Sequence, residues 1–150
     1  MVDSIQPRRS PAYAMAVLFL GYAAGKASFA VQSRLGFPGG PPVPAAEAER
    51  YFMDPAVAQW CASATGVLGA ALALATVTPL GRRVPRALML LGLAGMLLAV
   101  GGGAVMMILD GFAGIGIGWR WYHGILGILV IGLLLAMIRS YEMATRRVAG

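Results

Sequence analysis

Lys26, Asp110 and His123 are the side chains in this sequence best equipped to hold an anion or pass a proton, and each lies at the edge of a long apolar run. A lysine offers an ammonium, an aspartate its counter-charge, and a histidine titrates near neutrality. Brought together, the three could do general acid–base work on a lipid-soluble substrate. Tyr22, Gln59, Trp60 and Arg120 fall at similar positions in their own segments and complete a candidate site. In that reading Tyr22 and Trp60 wall a pocket floored by Lys26, suited to an anionic or amphipathic small molecule. Each residue also has a plainer role. Lys26 can snorkel to water or tie to Asp110, Asp110 can simply open a glycine-rich loop, and His123 can be a polar helix-end residue.

Most enzyme classes are argued against by absence of their residues. A single histidine excludes a multi-histidine metal site, and no HExxH or cysteine–histidine spacing exists. The single cysteine, Cys61, excludes both an intramolecular disulfide and a CxxC redox pair, and is expected to be a small buried apolar residue. Gly114-Ile-Gly116-Ile-Gly118 lacks the strand–helix setting of a dinucleotide fingerprint. No catalytic residue, metal or cofactor is therefore assigned.

The elements that must position these residues are four apolar stretches, at about residues 12–31, 55–78, 86–109 and 122–138. At ~1.5 Å rise per residue, ~20 apolar residues match the ~30 Å hydrocarbon core of a bilayer. Hydrophobic residues make up 59% of the chain and charged ones only 12%, against about 25% in a soluble domain. These features predict an all-α integral membrane four-helix bundle, one transmembrane domain over residues 1–150. The first stretch also resembles a signal peptide ending at Ala27-Ser28-Phe29-Ala30, though Lys26 suits such a site poorly and the apolar run is long for one.

Proline marks the joints. Asp54-Pro55 reads as an N-cap followed by proline at the first helical position. Pro79, Gly81 and Pro85 bracket a short basic turn, which predicts that the second and third spans are antiparallel neighbours. The first loop, 32–54, opens with a proline- and glycine-rich segment and then carries a short amphipathic helix over 45–53 that caps the bundle or lies on the membrane. Gly21-xxx-Gly25, Ala62-xxx-Gly66 and Gly95-xxx-Ala99-xxx-Gly103 read as close-packing ridges, and Gly101-Gly102-Gly103 as a weak point that can bend the third span.

Charge sets the expected orientation. Arg8, Arg9, Arg82, Arg83, Arg86, Arg139, Arg146 and Arg147 all belong to one side of a four-span chain, which predicts both termini in the cytoplasm of a bacterial plasma membrane. The net charge of +6 is thus a matter of topology and inner-leaflet attraction, and no basic face exists for nucleic acid. Lys26 lies 14 residues past Ala12, or about 21 Å along the axis, in the outer third of the bilayer. The other six candidate residues fall in the same outer layer, while the inner half holds almost no polar groups. A channel or proton path is disfavoured for that reason. The expected partners are membrane lipids, a second copy of the chain, or a larger membrane protein. The leading expectation is an accessory or interaction protein; the alternative is a lipid- or small-molecule-binding protein using the outer pocket, with catalysis left open.

Tyr22-Ala-Ala-Gly-Lys26-Ala-Ser-Phe29-Ala, Arg34-Leu-Gly36-Phe-Pro38-Gly39 and Pro79-Leu-Gly81-Arg82-Arg83-Val-Pro85-Arg86 together resemble a family of small actinobacterial four-span membrane proteins of unknown function. Ser28 and Gln32-Ser33 depart from it, where an aromatic and two glycines would be expected. Gly25-Lys26 and Gly66-Val-Leu-Gly69 also resemble DoxX-like four-span proteins. The first resemblance implies fold and topology; it implies no chemistry.

Overall fold

The computed structural model describes residues 7–146, so the charge expected at Arg147 lies outside the described residues. Helix α1 (Arg9–Val31) is followed by the short α2 (Ala45–Glu49), then α3 (Pro55–Ala75), a 3₁₀ turn (Gly81–Arg83), α4 (Arg86–Ala113) and α5 (Trp121–Arg146). Four of these, α1, α3, α4 and α5, are long and apolar enough to cross a membrane, and no strand occurs among the described residues. The chain is an all-helical, multi-pass membrane protein of four-helix-bundle type. Leu91, at 69% exposure, and Leu98, at 79%, face outward, an arrangement that water would penalise and hydrocarbon accepts.

Helix ends follow their local chemistry. Asp54 precedes a proline and is therefore extended, and its carboxylate accepts the Val57 N–H at 3.1 Å, as an N-cap should. Helix α2 stops at Glu49, shorter than the 45–53 expected, leaving Tyr51, Phe52 and Met53 outside it and exposed. Helix α1 ends in a Schellman motif: Arg34 N–H donates to Phe29 O and Ser33 N–H to Ala30 O, with Ser33 at φ 48°. Serine thus holds a left-handed position that glycine usually fills. Helix α4 runs through Gly101-Gly102-Gly103 as continuous helix and ends on Gly114 at φ 65°.

The bundle is two tight pairs, α1 with α3 and α4 with α5, joined where α1 meets α5. Helices α3 and α4 touch only sparingly, although the turn between them is short, so the expected close neighbourhood of those two spans is corrected. Small residues decide the pairing. At Gly66 of α3 an added Cβ would lie 3.0 Å from Phe19 O and from Ala23 Cβ of α1, and Ser63 Oγ donates to Ala23 O at 2.9 Å across the same contact. At Gly127 of α5 a Cβ would lie 2.7 Å from Ala104 O of α4. By contrast Gly21, Gly95, Gly102 and Gly103 meet nothing within 4 Å among the described residues, so the Gly95-xxx-Ala99-xxx-Gly103 glycines do not pack there, and in the first ridge only Gly25 is used.

The two ends of the bundle differ. Ala12, Met15, Ala70, Ala73, Met89, Leu93, Leu134 and Met137 form an apolar core toward the end where the described termini lie. Arg8 N–H donating to Ser140 Oγ at 2.6 Å and Arg86 Nε donating to Thr145 Oγ1 at 3.2 Å tie that end together. Toward the other end, where the long first loop lies, the buried residues become polar: Gln59, Asp110 and His123.

Candidate functional site

The first loop is pinned at two backbone carbonyls. Gly36 O accepts from Lys26 Nζ at 2.6 Å and from Gln59 Nε2 at 3.1 Å, joining loop, α1 and α3 at one oxygen. Gly39 O accepts from His123 Nε2 at 2.8 Å, which fastens the same loop to α5. Between these points Pro38 presses against Gly25 so closely that no side chain fits at position 25. The lysine ammonium also stands 5.5 Å from the ring centres of both Tyr22 and Phe37.

The loop between α4 and α5 is held separately. Asp110, 4% exposed, accepts the Gly118 and Trp119 N–H groups on Oδ2, each at 2.9 Å. His123 Nδ1 accepts the Arg120 N–H at 3.1 Å, a third-position side chain reaching back to the residue that caps its helix. With Nδ1 an acceptor, the ring proton belongs on Nε2, the atom facing Gly39 O. Phe37, Trp119 and His123 stack edge to face, at 5.1 Å and 4.7 Å between successive ring centres, and so bind the two loops into one cap.

The candidate residues therefore occupy one end of the bundle but not one site. Lys26 and Asp110 do not form the expected tie; each is bound to loop backbone instead. The reason lies in the helix arrangement, since α1 and α4 scarcely touch. His123 meets the loop that Lys26 meets, at a different carbonyl, so the acid–base constellation does not assemble. Trp60, 52% exposed, faces outward and walls nothing, and Arg120 is exposed. Cys61, expected to be buried, is exposed as well. Tyr22 flanks the ammonium as a ring neighbour.

A cavity of about 380 Å³ opens between the first loop, α2, the start of α3 and Trp119. Among the residues lining it, Lys26 and Gln59 were expected, whereas Phe37, Glu47, Tyr51 and Trp119 were not. Phe37, Tyr51 and Trp119 sit on loops and Glu47 on the short α2, where periodicity carries no signal; the neighbourhood of Phe37 to Gly36 and Gly39 was the one available hint. Gln59 is 3% exposed, and its Oε1 has no hydrogen-bond partner while its Nε2 is engaged. A buried unpaired acceptor costs ~1–3 kcal/mol. Lys26 spends one of three N–H donors on Gly36 O and faces no carboxylate within ion-pair distance among the described residues.

The chain matches no protein-family model, no curated protein and no solved structure.

Proposed function

We propose that this is a plasma-membrane protein of bacteria that binds an amphipathic small molecule or lipid, whose polar end enters the cavity beneath the first loop and reaches Lys26. The observation that carries this reading is that one cavity is lined by an ammonium with spare donors and by Gln59, whose buried amide oxygen has no donor among the described residues. Structural residues end with their polar groups matched. Here a ligand supplying an acceptor to Lys26 and a donor to Gln59 completes the match. The cavity volume lies within the ~300–1,000 Å³ typical of small-molecule sites. The arginine distribution supports cytoplasmic termini, and with them a cavity that opens at the outer face. Binding without turnover fits best, because Asp110 and His123 are committed to loop backbone.

Photolabelling tests the site. A lysophospholipid carrying a diazirine in its chain should label peptides spanning 26–37 and 58–62, and Lys26→Met should abolish that label while the helical content is kept. Labelling spread evenly over the lipid-facing surface, unchanged by Lys26→Met, refutes the proposal.

A second reading, an accessory protein that packs against itself or a larger membrane protein, draws on α4. Gly95, Gly102 and Gly103 meet no neighbour among the described residues, which leaves a face where another helix could approach. Sedimentation in mild detergent distinguishes the two: this reading predicts an assembly that Gly102→Leu dissociates, and a monomer counts against self-association.

A further inference from the structure

Resting on the reading that an amphiphile enters the cavity at Lys26, we propose that the site selects a zwitterionic head group: an oxyanion joined by a short linker to an ammonium, as in phosphoethanolamine. Lys26 is the cation and Glu47 the anion in the lining of the cavity. They are not paired with each other, and Glu47 makes no ion pair with Arg50 either; the ion pair found among the described residues is Arg146 with Glu142, at 3.7 Å.

Charge of both signs in one cavity discriminates by valence. A ligand with only an anionic oxygen satisfies Lys26 and then faces the Glu47 carboxylate unbalanced. A ligand with only a cation reverses the mismatch. A zwitterion answers both and adds no net charge to the site. Tyr51 lines the same cavity as Glu47 and supplies a ring of the kind that attracts ammonium groups, whereas Phe37, 5.5 Å from the Lys26 ammonium, belongs to the other end. Burial separates the ends: Lys26 is half-buried on α1, whereas Glu47 is exposed on α2. The oxyanion therefore goes deep and the ammonium stays toward water.

The test uses delipidated protein in detergent and three probes. These are dihexanoyl-phosphatidylethanolamine, dihexanoyl-phosphatidylmethanol, which keeps the phosphodiester but has no ammonium, and free phosphoethanolamine. The ethanolamine lipid should bind ~5-fold more tightly than the methanol lipid, in keeping with one solvent-accessible ion pair plus a cation–ring contact. Glu47→Gln should remove that difference by weakening the ethanolamine lipid alone. Free phosphoethanolamine losing affinity in Glu47→Gln assigns the head group as sufficient; preference confined to the lipid assigns a lipid ligand. Equal binding of the two lipids, both lost in Lys26→Met, overturns the zwitterion while leaving an amphiphile site standing. Binding of neither lipid to the wild-type protein overturns both.

Discussion

Replacing Gln59 with leucine should make the unliganded protein more stable, a result opposite to that expected for a buried structural residue. The change deletes one hydrogen bond, Gln59 Nε2 to Gly36 O at 3.1 Å, worth a net ~0.5–1.5 kcal/mol. It also removes the unpartnered Oε1, whose burial costs ~1–3 kcal/mol. Gly36 O is not orphaned, because Lys26 Nζ still donates to it at 2.6 Å. Leucine fills a similar volume, so no large cavity opens. The balance favours Gln59→Leu by ~1 kcal/mol, or ~2–4 °C in melting temperature for a chain of this length. Thermal unfolding of delipidated protein in one detergent, wild type against variant, gives the comparison. Destabilisation by more than ~1 kcal/mol would refute the reasoning, because it would mean that Oε1 has a partner that stabilises the fold. The same variant should lose ligand, since the amide oxygen that awaited a donor is gone. Stability gained where binding is lost is the usual mark of a functional site.

Ser33→Gly should raise stability by ~1 kcal/mol and slow hydrogen exchange at the end of α1, because it relieves a left-handed conformation that an L-residue adopts at a cost; unchanged exchange contradicts the Schellman ending. Gly66→Val should separate α1 from α3 and cost more than ~2 kcal/mol in unfolding measurements, since the nearest atoms include the Phe19 carbonyl, which cannot move aside. Gly102→Ala, with nothing within 4 Å, should leave a monomer unchanged or up to ~1 kcal/mol more stable. Lys26→Met and Asp110→Asn should add within ~0.5 kcal/mol in a double-mutant cycle, and a coupling above ~1 kcal/mol would restore the ion pair that the geometry denies.

Span existence and the starts of the last three spans were legible because bilayer thickness fixes length and hydropathy marks it, whereas α4 and α5 run on to Ala113 and Arg146, past the expected ends at 109 and 138. The Asp54-Pro55 start of α3 was legible for a local reason, a cap and a proline adjacent in sequence. The polar layer at one end, with Lys26, Gln59, Asp110 and His123 together in it, followed from counting residues along each helix. What failed was everything that depends on which helix touches which. Hydropathy is nearly uniform around these helices, so it does not reveal that α1 packs on α3 and α4 on α5. Without that order Lys26 and Asp110 looked like partners, when they sit on helices that scarcely meet. Trp60 and Cys61 looked internal for the same reason, since in hydrocarbon an outward-facing side chain carries no polarity signal. The cavity lining of Phe37, Glu47, Tyr51 and Trp119 depends on how two loops fold back, and glycine and proline announce a turn without aiming it.

If the cavity beneath the first loop holds an amphiphile at Lys26, native mass spectrometry of the protein released from mild detergent micelles will show it, with Lys26→Met measured alongside. One discrete adduct is expected on the wild-type protein, an amphiphile of defined mass, and its loss from a Lys26→Met variant that remains folded. A wild-type protein that retains nothing, or an adduct carried equally by both proteins, would contradict it.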